Sequence, residues 1–164
     1  MKFVRALGPN ALLDLMTVFQ DGHEDPRRFS NTQARYEDEI EDQNRRVYLV
    51  YDDVGVPLAY VHLVLNGADA NPALANGWDI AHIHDLRVRK SRHREGVAKF
   101  LMISLEAEAK KSGIDQLTLG VDAPNLIAFK MYSAMNYAEF DRVPGRTPDE
   151  ELIYMRKKLS QSFT

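Results

Sequence analysis

Cysteine is absent from all 164 residues. That excludes a disulfide framework, a thiolate metal site and a cysteine nucleophile, and it fits a reducing compartment. Long apolar runs are missing too. No segment approaches the roughly 20 apolar residues needed to cross a bilayer. No apolar core of a secretory signal follows Lys2, so Met1 to Gly8 reads as a short strand and a cytoplasmic protein with no membrane partner is expected. Charge of one sign is not in excess: 21 Lys and Arg face 24 Asp and Glu, a net charge of −3. A nucleic-acid partner would call for a basic domain with its cations on one face, so none is expected. There is no Gly-rich loop ending in Gly-Lys-Ser/Thr, and no G-x-G-x-x-G follows a strand, which removes two common phosphate motifs. Internal repeats, linkers and low-complexity stretches are also lacking.

What is present suits one α/β domain over residues 1–164, a length that buries roughly 70% of the unfolded chain's surface. Charge is unevenly spread, with an acidic run at residues 37–42 and a basic one at 87–94 holding Arg87, Arg89, Lys90, Arg92, His93 and Arg94. Leu12, Leu13, Leu15, Met16 and Phe19 form a stripe at helical spacing that should end near Asp21. Ser30-Asn31-Thr32-Gln33 has the form of a capping box, and predicts a superficial polar helix to about Asn44, anchored by Ala34, Tyr36 and Ile40. Val47 to Tyr51 and Val56 to Leu65 read as a hairpin, Asn66 to Asp79 as a loop, and Ile80 to Val88 as a third strand. A helix follows Gly96 and ends at Gly113, then a strand spans Ile114 to Val121. A last helix opens at Asp122-Ala123-Pro124 and stops at Asn136, before a final strand at Leu152 to Leu159. A strand–helix–strand unit after a meander predicts a mixed sheet, mostly antiparallel, with helices on both faces.

Residues 86–98 join a strand to a helix through a basic loop. The first turn of a helix has unpaired N–H groups and partial positive charge, so an anion is stabilised there. Gly96 and Ala98 leave that backbone accessible, and the neighbouring cations can neutralise phosphate charge.

His93-Arg94-Glu95-Gly96-Val97-Ala98 resembles the Arg/Gln-x-x-Gly-x-Gly/Ala signature of the GNAT superfamily of N-acetyltransferases, and Asp85-Leu86-Arg87-Val88 resembles the strand leading into it. Downstream, Asn125, Ala128 and Tyr132, followed by Asn136-Tyr137, are similar to the family's Asn-x-x-Ala-x-x-x-Tyr and Gly-Phe pattern. The motifs and the strand between them cover residues 81–140, and the element order extends the likeness over the chain. Three positions depart from the pattern. His93 stands where Arg or Gln is usual, Ala98 where Gly is commoner, and Asn136-Tyr137 where Gly-Phe is usual.

The resemblance implies acetyl-CoA as acyl-donor co-substrate and a primary amine, on a small molecule or a peptide, as acceptor. Backbone groups of Leu86 and Val88 would pair with the pantetheine arm, and the segment His93, Arg94, Glu95, Gly96, Val97 and Ala98 would hold the pyrophosphate. Asn125, Ala128, Phe129 and Tyr132 fall on one helix face, where Asn125 would bind pantetheine and Tyr132 would act as general acid toward the thioester sulfur. Backbone N–H groups near Leu86 to Val88 would polarise the thioester carbonyl. Asp85, through water, and His84 are the two candidates for the base; a regular strand points them to opposite faces unless a bulge intervenes. His82 and His84 lack a third ligand, so no metal is expected. Without cysteine, direct transfer in a ternary complex is the expected route. The helical segment after the first strand borders the acceptor in this family, so acidic residues 37–42 would favour a cationic amine. Exposed strand edges near the C-terminus allow a homodimer. The alternative is a non-catalytic acyl-CoA-binding or regulatory domain of the same fold, which would bind cofactor without acceptor-dependent CoA release.

Overall fold

The computed structural model describes residues 1–21, 25–145 and 147–159. In chain order the elements are β1 (Lys2–Arg5), α1 (Gly8–Gln20), α2 (Pro26–Glu41), β2 (Arg45–Tyr51), β3 (Pro57–Val64), β4 (Ile80–Val88), α3 (Val97–Lys111), β5 (Gln116–Asp122), α4 (Leu126–Ala134), β6 (Ala138–Pro144) and β7 (Glu151–Lys158). The strands hydrogen-bond in the order β1-β2-β3-β4-β5-β7-β6, and β4–β5 is the parallel pair among the described registers. This is a mixed α/β fold whose sheet is mostly antiparallel, as the element order predicts. The chain divides into two compact units, Met1–Val64 with Asp85–Glu108 and Leu65–His84 with Ala109–Thr164.

In the first unit, β1, β2 and β3 form an antiparallel meander. Its hairpin is closed by Asp52, whose Oδ1 accepts from the N–H groups of Val54 at 3.0 Å and Val56 at 2.8 Å. Leu12, Leu15, Met16, Val18 and Phe19 of α1 pack in one core with Tyr36, Val47, Leu49 and Tyr60. Leu13, placed in the stripe by its spacing, points outward and is exposed, while Val18 takes the inner position. The second helix corrects two expectations. It starts at Pro26, with the Asp25 carboxylate accepting from Arg27 N–H at 3.0 Å, so Asp25 and not Ser30 caps it. It is not superficial, because Tyr36 is fully buried. Residues 22–24, just past the expected end of the first helix near Asp21, lie outside the described residues.

In the second unit, β4 pairs with β5 from Ile80↔Gln116 to Ile83↔Leu119, and β5, β7 and β6 continue antiparallel. The loop before β4 is organised by Asn76, whose Oδ1 accepts from the N–H groups of Trp78, Asp79 and Ile80 at 2.9 to 3.0 Å. One strand was missing from the predicted order. β6 reads Ala-Glu-Phe-Asp-Arg-Val-Pro and buries none of these side chains fully, so it has no apolar alternation to betray it. The last helix begins at Leu126, after Pro124, because the Asn125 side chain is the cap. It ends as expected, with Asn136 in the left-handed conformation at φ +72°.

Candidate functional site

The basic loop of the first unit is built by ion pairs made within the fold. Asp21, just past α1, accepts from Ser91 N–H at 2.9 Å, from Ser91 Oγ at 2.7 Å and from Arg89 Nε at 3.4 Å. The Ser91 N–H, then its hydroxyl, hold the Asp21 carboxyl below its usual range against the small opposing effect of burial. Arg92 Nε donates to Glu95 at 2.5 Å and a second guanidinium nitrogen lies 3.7 Å from Asp52. Arg87 lies over the Phe19 ring at 5.1 Å. His93 Nε2 donates to the Val88 carbonyl at 3.1 Å, which ties the loop to the end of β4. Lys90 and Arg94 are exposed and stand outside every ion pair among the described residues. Most of the charge in this run therefore shapes the loop, leaving two cations for a ligand.

The backbone completes the arrangement. Arg94 at φ +67° and Gly96 at φ +77° turn the chain through two left-handed residues just before α3. Curved segments of this kind direct successive N–H groups into a concavity that suits an anion. A side chain at position 96 would be strained at that φ, and it would enter open space, since no atom lies within 4 Å of the added Cβ. Glu95 faces Arg92, Val97 is buried, and Ala98, Leu86 and Val88 are half-buried. The residues present fit a pyrophosphate at the start of the 15-residue helix α3.

Asp85 lies in β4 with φ +51°, an interruption of the regular pleat of the kind a bulge makes. Strict alternation therefore does not hold between His84, which is exposed, and Asp85, whose side chain is 20% exposed. The two residues also fall in different units. Asp85 Oδ2 accepts a short hydrogen bond from the Tyr36 hydroxyl, which lies 2.5 Å from the Tyr60 hydroxyl. Burial, then the Asp85 charge, push both phenols above their usual value. Arg35 lies 3.7 Å from Asp85, and the fully buried His62 has Nε2 at 3.8 Å from Asp85 Oδ2 and Nδ1 at 3.2 Å from Glu39 Oε2. Sequence reasoning missed Tyr36, Glu39, Tyr60 and His62 as site residues. The signal available was local only: Tyr36 and Glu39 share a helix face at i, i+3, and Tyr60 and His62 share a strand face at i, i+2. The acidic run is accordingly divided, with Glu39 turned inward and Glu37, Asp38 and Glu41 exposed.

In the second unit, Asn125 caps α4, its Oδ1 accepting from Ala128 N–H at 3.2 Å. That leaves the amide nitrogen, a donor, for a ligand. Tyr132 is buried, and burial pushes its phenol up to about 12. Its ring meets Tyr137 edge-on at 5.9 Å. Ala128 and Phe129 are half-buried on the same helix. His82 is buried with Nδ1 at 2.8 Å from Thr118 Oγ1, and the Thr118 hydroxyl donates to the Leu74 carbonyl at 2.7 Å. No cluster of three or more metal-ligating side chains occurs among the described residues. Nor is any described helix long and apolar enough to cross a membrane.

Residues 12–137 match the family described as "Acetyltransferase (GNAT) family". A curated relative from Arabidopsis thaliana, GCN5-related N-acetyltransferase 4, chloroplastic, is 30% identical over 92 residues; the match covers 52% of this chain and 32% of the relative, so the chain aligns with about a third of that protein's length. Among solved structures, an aminoglycoside 6'-N-acetyltransferase complexed with coenzyme A superposes with a TM-score of 0.76 at 16% identity, over 100% of both chains. The ribosomal-protein-S18-alanine N-acetyltransferase from Escherichia coli superposes with a TM-score of 0.71 at 18% identity, over 99% of this chain and 97% of that one. At such identities the structures speak for the fold.

Proposed function

We propose, from the premise that this chain belongs to the GNAT family of acetyltransferases, that it moves an acetyl group from acetyl-CoA to a primary amine by direct transfer, residues 1–164 acting as one functional domain. The observation that carries the reading is the left-handed turn at Arg94 and Gly96, open in front of Gly96 and followed at once by α3. When bound, acetyl-CoA supplies the acetyl thioester. The N–H groups of Arg94 to Ala98, with Lys90 and Arg94, hold the pyrophosphate. Leu86 and Val88 offer backbone groups to the pantetheine arm, and the Asn125 amide offers a donor.

Tyr132 is the proposed acid. A phenol with its pKa pushed up to about 12 keeps its proton at neutral pH and can deliver it to a departing thiolate. Asp85 is the proposed base, taking the amine proton through water. It is favoured over His84 because Tyr36 fixes its carboxylate. A cationic acceptor is supported by the exposed Glu37, Asp38 and Glu41, and equal rates with cationic and anionic amines at low salt would remove that specificity.

Thermal unfolding with acetyl-CoA, with ATP and with neither tests the premise of cofactor use. Acetyl-CoA at about one hundred times its Kd adds about 2.7 kcal/mol. That is a rise of several degrees for a chain of this size. A rise with acetyl-CoA and not ATP is expected; no rise at saturation would sink the reading.

A further inference from the structure

We infer that Asp21 is a positioning residue for the cofactor: from the end of α1 it braces the basic loop in the shape that takes the pyrophosphate, and so raises the affinity for acetyl-CoA despite its own negative charge. The inference deepens the proposed function and rests on residues 94–98 holding the pyrophosphate.

Local chemistry argues against an acid at this position. Asp21 is the C-cap of α1, whose last turn holds no basic residue. The C-terminus of a helix carries partial negative charge, which disfavours a carboxylate there. Nothing in the helix compensates. Among the described residues, the side-chain hydrogen bonds of Asp21 run to Arg89 and Ser91, 68 and 70 positions away. Such a break with a local rule is expected where a residue serves a site.

One oxygen does the bracing. Asp21 Oδ2 accepts from Ser91 N–H at 2.9 Å, from Ser91 Oγ at 2.7 Å and from Arg89 Nε at 3.4 Å. On its other side the loop is held by β3, where the Arg89 N–H donates to the Leu58 carbonyl at 2.8 Å. The Arg92 N–H donates to the Arg89 carbonyl at 2.9 Å and closes a turn around Ser91. The end of α1 is a firm support, because Val18 and Phe19 are buried in the core. Residues 89–92 are thus clamped between α1 and β3. The left-handed Arg94 follows only three residues after Ser91, and the left-handed Gly96 two residues later. The Ser91 N–H is committed to Asp21, so it lies outside the group of N–H donors offered to the anion.

Two effects of Asp21 on an incoming anion oppose each other. Its carboxyl is held below the usual range by the Ser91 N–H and then the Ser91 hydroxyl, so it is ionised at neutral pH and repels phosphate. That repulsion is reduced by the Arg89 guanidinium beside it and by solvent. The opposing effect is order. A loop without its brace must be ordered when the ligand binds, and the apparent Kd rises as the inverse of the fraction already in the binding shape. If that fraction falls to about one in ten, acetyl-CoA binds about tenfold more weakly. The loop has no other described contact with α1 through Ser91, so order outweighs the screened repulsion.

The test is an NMR titration of the whole nitrogen-labelled chain with two probes: acetyl-CoA, and acetyl-pantetheine, which has the same thioester arm without the pyrophosphate. Asp21→Ala is expected to raise the Kd for acetyl-CoA about tenfold and to leave that for acetyl-pantetheine unchanged. A lower Kd for acetyl-CoA would show that repulsion dominates, and an unchanged one that the loop keeps its shape unaided; either overturns the inference. An equal loss for both probes means general damage to the fold and overturns it too. Ser91→Ala removes one exposed hydroxyl and keeps the N–H, so it stays informative even if Asp21→Ala does not fold. It should weaken acetyl-CoA about threefold, and an unchanged Kd counts against the brace. Added to Asp21→Ala it should cause no further loss, whereas additive losses would mean that the hydroxyl acts without Asp21. Failure of the underlying reading looks different: the unaltered protein would then not bind acetyl-CoA at all.

Discussion

Each unit of the chain buries a histidine next to a tyrosine, and the two are used differently. In the first unit, His62 lies between Glu39 and Asp85, so either ring nitrogen faces a group able to take or give a proton. In the second, His82 meets the Thr118 hydroxyl, whose one proton is committed to the Leu74 carbonyl. The hydroxyl can then only accept, so His82 Nδ1 must be its donor. That chain ends at a main-chain carbonyl, which neither releases nor accepts a proton at ordinary pH. The tyrosines repeat the contrast. Tyr36 donates to Asp85 from a fully buried position, whereas Tyr154 donates at 2.7 Å to Asp69, an exposed carboxylate. Burial alone does not make a histidine chemically interesting; what stands at both ends of its ring does.

The comparison breaks most visibly in stability. Tyr36→Ala should cost about 3–5 kcal/mol, since it empties a filled core position as well as removing the hydroxyl, and denaturant unfolding measures it. Thr118→Val, which keeps the volume, should cost about 2–3 kcal/mol by stranding the Leu74 carbonyl and the His82 donor. A cost below 1 kcal/mol there would mean that water reaches the pair. Tyr36→Phe should fall near 2 kcal/mol, because it leaves a half-buried carboxylate and a buried hydroxyl short of a partner. Tyr154→Phe should cost about 1 kcal/mol or less, because Asp69 recovers its hydration.

A pH experiment sharpens the contrast further. Burial pushes the Glu39 carboxyl up, but the His62 hydrogen bond and the charges of His62, Arg45 and Arg35 outweigh it and hold it below its usual value. A depressed carboxylate contributes stability that is present above its unfolded pKa of about 4.3 and lost as pH falls through the lower folded value. Glu39→Gln should therefore lose less stability than the unaltered protein between pH 5 and pH 3 (roughly the window of that titration), as urea unfolding at each pH would show.

Much of this was legible in the sequence, and what was hidden has a physical pattern. The turn at Gly96, the left-handed stop at Asn136 and the hairpin at Asp52 to Gly55 depend on a few adjacent residues, so local chemistry reveals them. β6 was not legible because its polar residues follow no period. The start of α2 was misread because Asp25 and Ser30 both have side chains able to cap, and position in the fold chose between them. Tyr36 and Asp85 lie 49 residues apart, and no pattern within either segment announces their meeting. The pairing of two arginines of the cationic loop with Asp21, Asp52 and Glu95 was not legible, because Asp21 and Asp52 lie far from the loop in sequence.

β6 has a bearing on edge-to-edge pairing between copies in crowded solution. It is the last strand in the sheet order and, among the described residues, is paired on one side only, with β7. An open edge of this kind invites another chain to add a strand and continue the ladder. Here the register slips between Glu139 and Asp141, charged side chains crowd the strand, and Pro144 closes it without an N–H to donate. A ribbon-like stack of copies would meet an irregular, charged and partly donorless margin, so the same polar residues that concealed the strand from its sequence also disfavour a ladder extended from this edge.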